Sequence, residues 1–149
     1  MDNLLATCRA MLLPLAMVLV ALGPQDVAAG GGKTPTTTDI NFIPPFPFLG
    51  QSVIIRGTVT PNPGAGNGVV DIQQTVDFAG TTPTDCATLD HFELIDSGPV
   101  NSLGQFSTTI DTDDLGSTGF FGFRAKYKAK GSGFRKSTSD CEDLHVIQE

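Results

Sequence analysis

A chain of 149 residues, 40% of them hydrophobic, is long enough for one domain with a core of its own. Its 9 basic and 16 acidic side chains give a net charge of −7, which argues against nucleic acid as a partner, since phosphate binding needs a positive footprint. The absence of tryptophan and the single tyrosine weigh against a sugar-binding surface built on flat exposed rings.

The N-terminus has the form of a secretory signal. Arg9 precedes an apolar run from Ala10 to Leu22, a polar break follows, and Val27-Ala28-Ala29 fits a signal-peptidase site. The run is shorter than the ~20 residues of a spanning helix. Cleavage is expected after Ala29, making residues 1–29 a signal peptide and leaving no membrane span after processing; an uncleaved membrane anchor is the alternative. The mature chain then has 120 residues, with 8 basic and 14 acidic side chains. Of the three cysteines, Cys8 leaves with the signal. Cys86 and Cys141 remain, an even pair in an oxidising compartment, and a disulfide between them is expected.

Residues 30–39 are rich in Gly, Thr and Pro and read as a flexible or extended leader. From Ile40 to Glu149 the chain alternates between β-like runs and turn signals. Ile40 to Leu49 holds three prolines, so it predicts an edge strand or extended strip, with Phe42, Phe46 and Phe48 placed to cover one end of a core or to offer apolar contact. Gln51 to Pro61 puts Val53, Ile55, Gly57 and Val59 on one face and Ser52, Ile54, Arg56, Thr58 and Thr60 on the other. After a turn rich in Pro, Gly and Asn, Gly68 to Phe78 sets Val70, Ile72, Gln74 and Val76 on its more apolar face. Leu89 to Asp96 predicts a short strand, with a helix as the alternative, and Phe106, Thr108 and Ile110 share a face of the next.

Gly119 to Lys130 carries the sharpest alternation. Phe121, Phe123, Ala125, Tyr127 and Ala129 fall on one face, and Phe120, Gly122, Arg124, Lys126, Lys128 and Lys130 on the other. A last strand over Lys136 to Val146 is interrupted near Asp140, Glu142 and Asp143. About seven short strands at intervals of roughly 8–12 residues, with no βαβ alternation, predict an all-β sandwich.

Three stretches resemble bacterial immunoglobulin-like domains of secreted and cell-surface proteins, of the actinobacterial type. They are VIIRGTVTPNPGAGNGVVDIQQ, NSLGQFSTTI and FGFRAKYKAKGSGFRKSTSDCEDLHV. The resemblance implies an immunoglobulin-like β-sandwich of about seven strands over residues 40–149, with an architectural, spacing or adhesive role.

The residues themselves offer little concentrated chemistry. His91 and His145 are the only histidines, and no G-x-S-x-G stretch singles out a nucleophile. Both are expected to be surface or rim residues. Asp111, Asp113 and Asp114 suggest a calcium loop, but DTDDLG fits the D-x-[DN]-x-[DN]-G pattern only loosely, and a solvated turn is favoured. No cofactor is implied.

Arg124, Lys126, Lys128, Lys130, Arg135 and Lys136 hold six of the eight mature basic side chains. They predict either a solvated outer face or a cationic patch for an acidic envelope polymer or surface protein. The leading expectation is therefore a secreted, non-catalytic immunoglobulin-like domain with a structural or adhesive role at the cell envelope. A secreted carbohydrate-binding module and a small secreted enzyme or inhibitor are the alternatives.

Overall fold

Period-two alternation decides where the strands lie. The computed structural model describes residues 32–75, 91–131 and 133–149. The expected signal peptide, Cys86 and the tail of the Gly68–Phe78 run fall outside the described residues. Nine strands are present in them: β1 (Thr37–Thr38), β2 (Asn41–Ile43), β3 (Ser52–Thr60), β4 (Gly68–Thr75), β5 (Phe92–Pro99), β6 (Gln105–Asp111), β7 (Gly119–Ala129), β8 (Ser137–Thr138) and β9 (Glu142–Val146). A 3-10 turn, Thr112–Leu115, follows β6. Among the described residues no helix is long and apolar enough to cross a membrane.

All named pairings are antiparallel and make two sheets. In the first, β3 pairs with β6 along one edge and with β1 and β2 along the other. Thr37↔Thr60 and Asn41↔Arg56 keep one register, so β1 and β2 are two pieces of a single lane. In the second sheet the order is β5-β4-β7, and the far edge of β7 takes β9 along Gly119–Phe123 and β8 at Lys126–Tyr127.

The register slips by one residue between β8 and β9. There Ser139 accepts the backbone N–H of Ala125 on its hydroxyl (2.9 Å) and donates its own N–H to the Ala125 carbonyl (2.9 Å). A side chain thus stands in for a strand partner at the bulge. Two outer lanes of the described sheets, β1 with β2 and β8 with β9, are thus each broken into two strands, and the described residues hold nine strands where about seven were expected.

The predicted faces close on one another. Val53, Ile55 and Val59 of β3 and Phe106 of β6 join Val70, Ile72, Phe121, Phe123, Ala125, Tyr127, Leu144 and Val146 of the second sheet in one buried cluster. Phe42 packs edge-on against Phe123 at 5.6 Å, a contact between the sheets. Alternating inward residues from two sheets are what fill a sandwich.

Two glycines are required by contact distance. A Cβ on Gly57 would lie 2.0 Å from the Asp39 carbonyl oxygen, and one on Gly68 would lie 2.1 Å from Cε2 of Tyr127. Tyr127, fully buried, donates its hydroxyl to the Asn67 carbonyl at 2.9 Å.

One side of the sandwich is stitched shut. Thr34 donates to the Gly133 carbonyl (2.9 Å) and accepts from Arg135 (2.8 Å), and the hydroxyls of Thr36 and Thr38 both meet Ser137. Residues 34–38 of the expected leader are therefore extended and tied to the sheets. Further along, Ile147 donates to the Pro47 carbonyl (2.9 Å) and accepts from Leu49 (3.0 Å). On the other side lie β5 and β6. Glu93 and Asp96 pair with Gln74 and Ile72 and so share the inner face at that rim, where inward charges discourage pairing with another chain.

Candidate functional site

The cationic ladder forms where alternation puts it, but much of it is spoken for. Arg124 and Lys126 are half-buried and Lys128 exposed on the outer face of β7. Arg124 donates Nε to Oε1 of Gln73 at 2.9 Å, and its guanidinium carbon sits 3.6 Å from the centre of the Phe92 ring. Lys128 forms a salt bridge with Asp71, whose side chain is buried and also accepts from the Ser97 hydroxyl at 2.9 Å.

Asp71 is the group that alternation alone places wrongly. It stands on the outer face, yet neighbours on β5 and β7 enclose it, and Lys128 offsets the cost of burying its charge. Lys130 lies beyond β7 and is exposed, as are Arg135 and Lys136. Arg135 uses its backbone to hold Thr34 and Thr36.

The acidic triplet does not converge. Asp111 caps the 3-10 turn by accepting the Asp113 N–H at 3.1 Å. Among the described residues no group of three or more His, Cys, Asp or Glu side chains is arranged to hold a metal. His91 is exposed. His145 is half-buried, stacked on Phe120 with centroids 4.1 Å apart and met edge-on by Phe46 at 6.3 Å. Cys141 is the only cysteine among the described residues, so no disulfide can be traced within them. It is in the bonded state nonetheless, and Cys86 lies outside them.

The proline-aromatic strip is where the structure separates two readings. Phe42 and Pro47 cover the core, whereas Phe46 is 63% exposed and Phe48 42%. The backbone on either side of Phe48 is fixed by the Ile147 bonds, and Thr112 donates its hydroxyl to the Phe48 carbonyl at 2.8 Å. Leu49 is also exposed, as are Ile43 and Ile54, cross-strand partners on the outer face of the first sheet. Rings held in water by a fixed backbone forgo roughly 1–2 kcal/mol each of burial.

One site went unread in the sequence. A shallow cavity of ≈ 690 Å³ lies on the first sheet, lined by Asn41 of β2, Arg56 and Thr58 of β3, Gln105 and Ser107 of β6, and Asn101 of the preceding turn. Pro99 and Phe106 add apolar wall. Arg56 donates Nε to Oδ1 of Asn41 at 3.1 Å. Its signal was present only as a polar residue on the outer face of β3. The pairing with Asn41 and Ser107 needed the register of three strands.

No family model matches this chain, and no curated protein does. Among solved structures, a match is found to "Crystal structure of BslA - A bacterial hydrophobin", at 15% identity and a TM-score of 0.38, covering 79% of this chain and 98% of that one.

Proposed function

We propose that this chain is a secreted, non-catalytic module of immunoglobulin-like type, with an adhesive or structural role at the cell envelope. The observation that carries the reading is the exposed strip at Phe46 and Phe48, pinned through Ile147. Large apolar side chains held in solvent on a fixed backbone are the mark of a contact surface. In this reading Cys141 is bonded to Cys86, and that bond suits an oxidising compartment.

The strip takes precedence over the cationic ladder as the contact surface. Arg124 and Lys128 have partners on their own sheet, so less of the ladder's charge is free to meet an acidic polymer. The reading is tested by incubating the secreted protein with washed envelopes of the producing cell and sedimenting them. The expected result is that most of the protein pellets and stays bound in about 1 M salt, since apolar contacts survive where screened charges do not. Protein left wholly in the supernatant at every salt concentration would overturn the envelope role.

A further inference from the structure

We propose that the dish around Arg56 is a binding site for a carboxylate-bearing saccharide. It rests on the extracellular reading above but uses a different face from the Phe46–Phe48 strip. The chain carries −7 overall, yet none of the side chains lining this dish is a carboxylate, and one is an arginine. Asp39, the acidic residue two positions before Asn41, is engaged by Thr58, whose backbone N–H donates to Oδ1 at 2.7 Å and whose hydroxyl donates to Oδ2 at 2.5 Å.

The donors are arranged and largely unspent. The bond from Nε of Arg56 to Asn41 holds the guanidinium while leaving both Nη groups free of any carboxylate among the described residues. Asn41 gives its oxygen to that bond and keeps its amide N–H groups. Asn101 accepts the backbone N–H groups of Leu103 and Gln105, at 2.8 and 2.9 Å, and donates to Oε1 of Gln105 at 3.3 Å, which leaves the Gln105 amide nitrogen as a further donor. Ser107 adds a hydroxyl. A guanidinium with a fixed Nε recognises a carboxylate through its paired Nη donors.

Size and wall decide between ligand classes. Asn41, Arg56 and Ser107 are cross-strand partners in one row, and strands stand roughly 4.8 Å apart, so the row spans about 10 Å. That is the footprint of one or two sugar rings. Around the cation the lining is mostly amides and hydroxyls, which suit the hydroxyls of a sugar. A peptide carboxylate would also need an apolar recess for its neighbouring side chain, and only Pro99 and Phe106 offer such wall.

The test titrates the full-length secreted protein, labelled with nitrogen-15, with a short oligogalacturonate, with a neutral oligosaccharide of the same length, and with a peptide bearing a free C-terminal carboxylate. Expected are chemical-shift changes at Arg56 Nε and the Gln105 side-chain amide with the uronate, and about tenfold weaker binding in Arg56→Gln. Lys126→Gln, on the other sheet, is expected to bind as the parent does, which separates site recognition from overall charge. Phe46→Ser/Phe48→Ser is also expected to bind as the parent does, so loss of envelope binding and loss of uronate binding are read independently.

Any of four results would overturn the proposal. The neutral saccharide could bind equally well, the peptide could bind more tightly, Lys126→Gln could lose as much affinity as Arg56→Gln, or the Arg56 signal could stay unmoved up to about 10 mM uronate.

Discussion

Tyr127 is the residue through which the interior can be questioned directly, because the chain has no other tyrosine and no tryptophan. Burial pushes its phenol above the ordinary value. The neutral phenol is therefore favoured in the folded state. Stability from this group is intact below about pH 10, and is lost as pH rises past the unfolded value, since the unfolded chain releases the proton first. A spectrophotometric titration is expected to show no tyrosinate up to about pH 10 and then a rise that coincides with unfolding. A reversible ionisation centred on the ordinary value, with the fold intact, would contradict the packing.

The glycine at the end of the same ring gives a second test. Gly68→Ala sets a methyl against Tyr127 at a distance no side chain tolerates, and is expected to destabilise by about 1–3 kcal/mol in urea unfolding. Gly98→Ala is the control, because nothing lies within 4 Å of a Cβ there.

At the scale of elements, β7 was legible because Phe121, Phe123, Ala125 and Tyr127 turn inward at every second position, with Arg124, Lys126 and Lys128 between and after them on the other face. The same held for β3, where Val53, Ile55, Gly57 and Val59 turned inward as the pattern required. The outer lanes were not legible. The break at Ser139 depends on a hydroxyl bonding a backbone N–H of a different strand, and no local pattern encodes that. The strip at 46–49 posed the same difficulty: Phe42, Phe46 and Phe48 have equal hydropathy, but Phe42 is turned onto Phe123 by its pairing with Ile55, while Phe46 and Phe48 lie exposed beside the backbone bonds to Ile147.

The burial of Asp71 and the polar neighbours of Arg56 went unread for a related reason, since what surrounds a residue on an outer face is set by the strands beside it. Ser139→Ala is expected to leave the Ala125 N–H buried without its acceptor and to lower stability by about 1–3 kcal/mol. The amide of Ala125 would then exchange with solvent faster than those of Phe123 and Tyr127. Unchanged protection at Ala125 would show that the bulge does not need the hydroxyl.

At the scale of the whole sandwich, backbone bonds from Thr34 to Gly133 and Arg135, and from Pro47 and Leu49 to Ile147, close one side of the two sheets. The cationic ladder is partly absorbed into the second sheet through Asp71 and Gln73. Phe46, Phe48 and Arg56 are exposed, and the two proposals above assign contact to them. The proposed Cys86–Cys141 bond belongs to this scale too. The mature protein is expected to take up no thiol reagent until reduced, then two equivalents, and reduction is expected to cost about 2–5 kcal/mol of stability. Alkylation before reduction would break that assignment.

In the proposed function, contact with the envelope runs through the strip and not through the ladder. Sedimenting two variants with washed envelopes, Phe46→Ser/Phe48→Ser and Lys126→Glu/Lys130→Glu/Lys136→Glu, beside the parent protein separates the two surfaces. The phenylalanine variant is expected to stay in the supernatant while the lysine variant pellets as the parent does. Retention of the phenylalanine variant with release of the lysine variant would overturn that assignment and return the contact to the basic face.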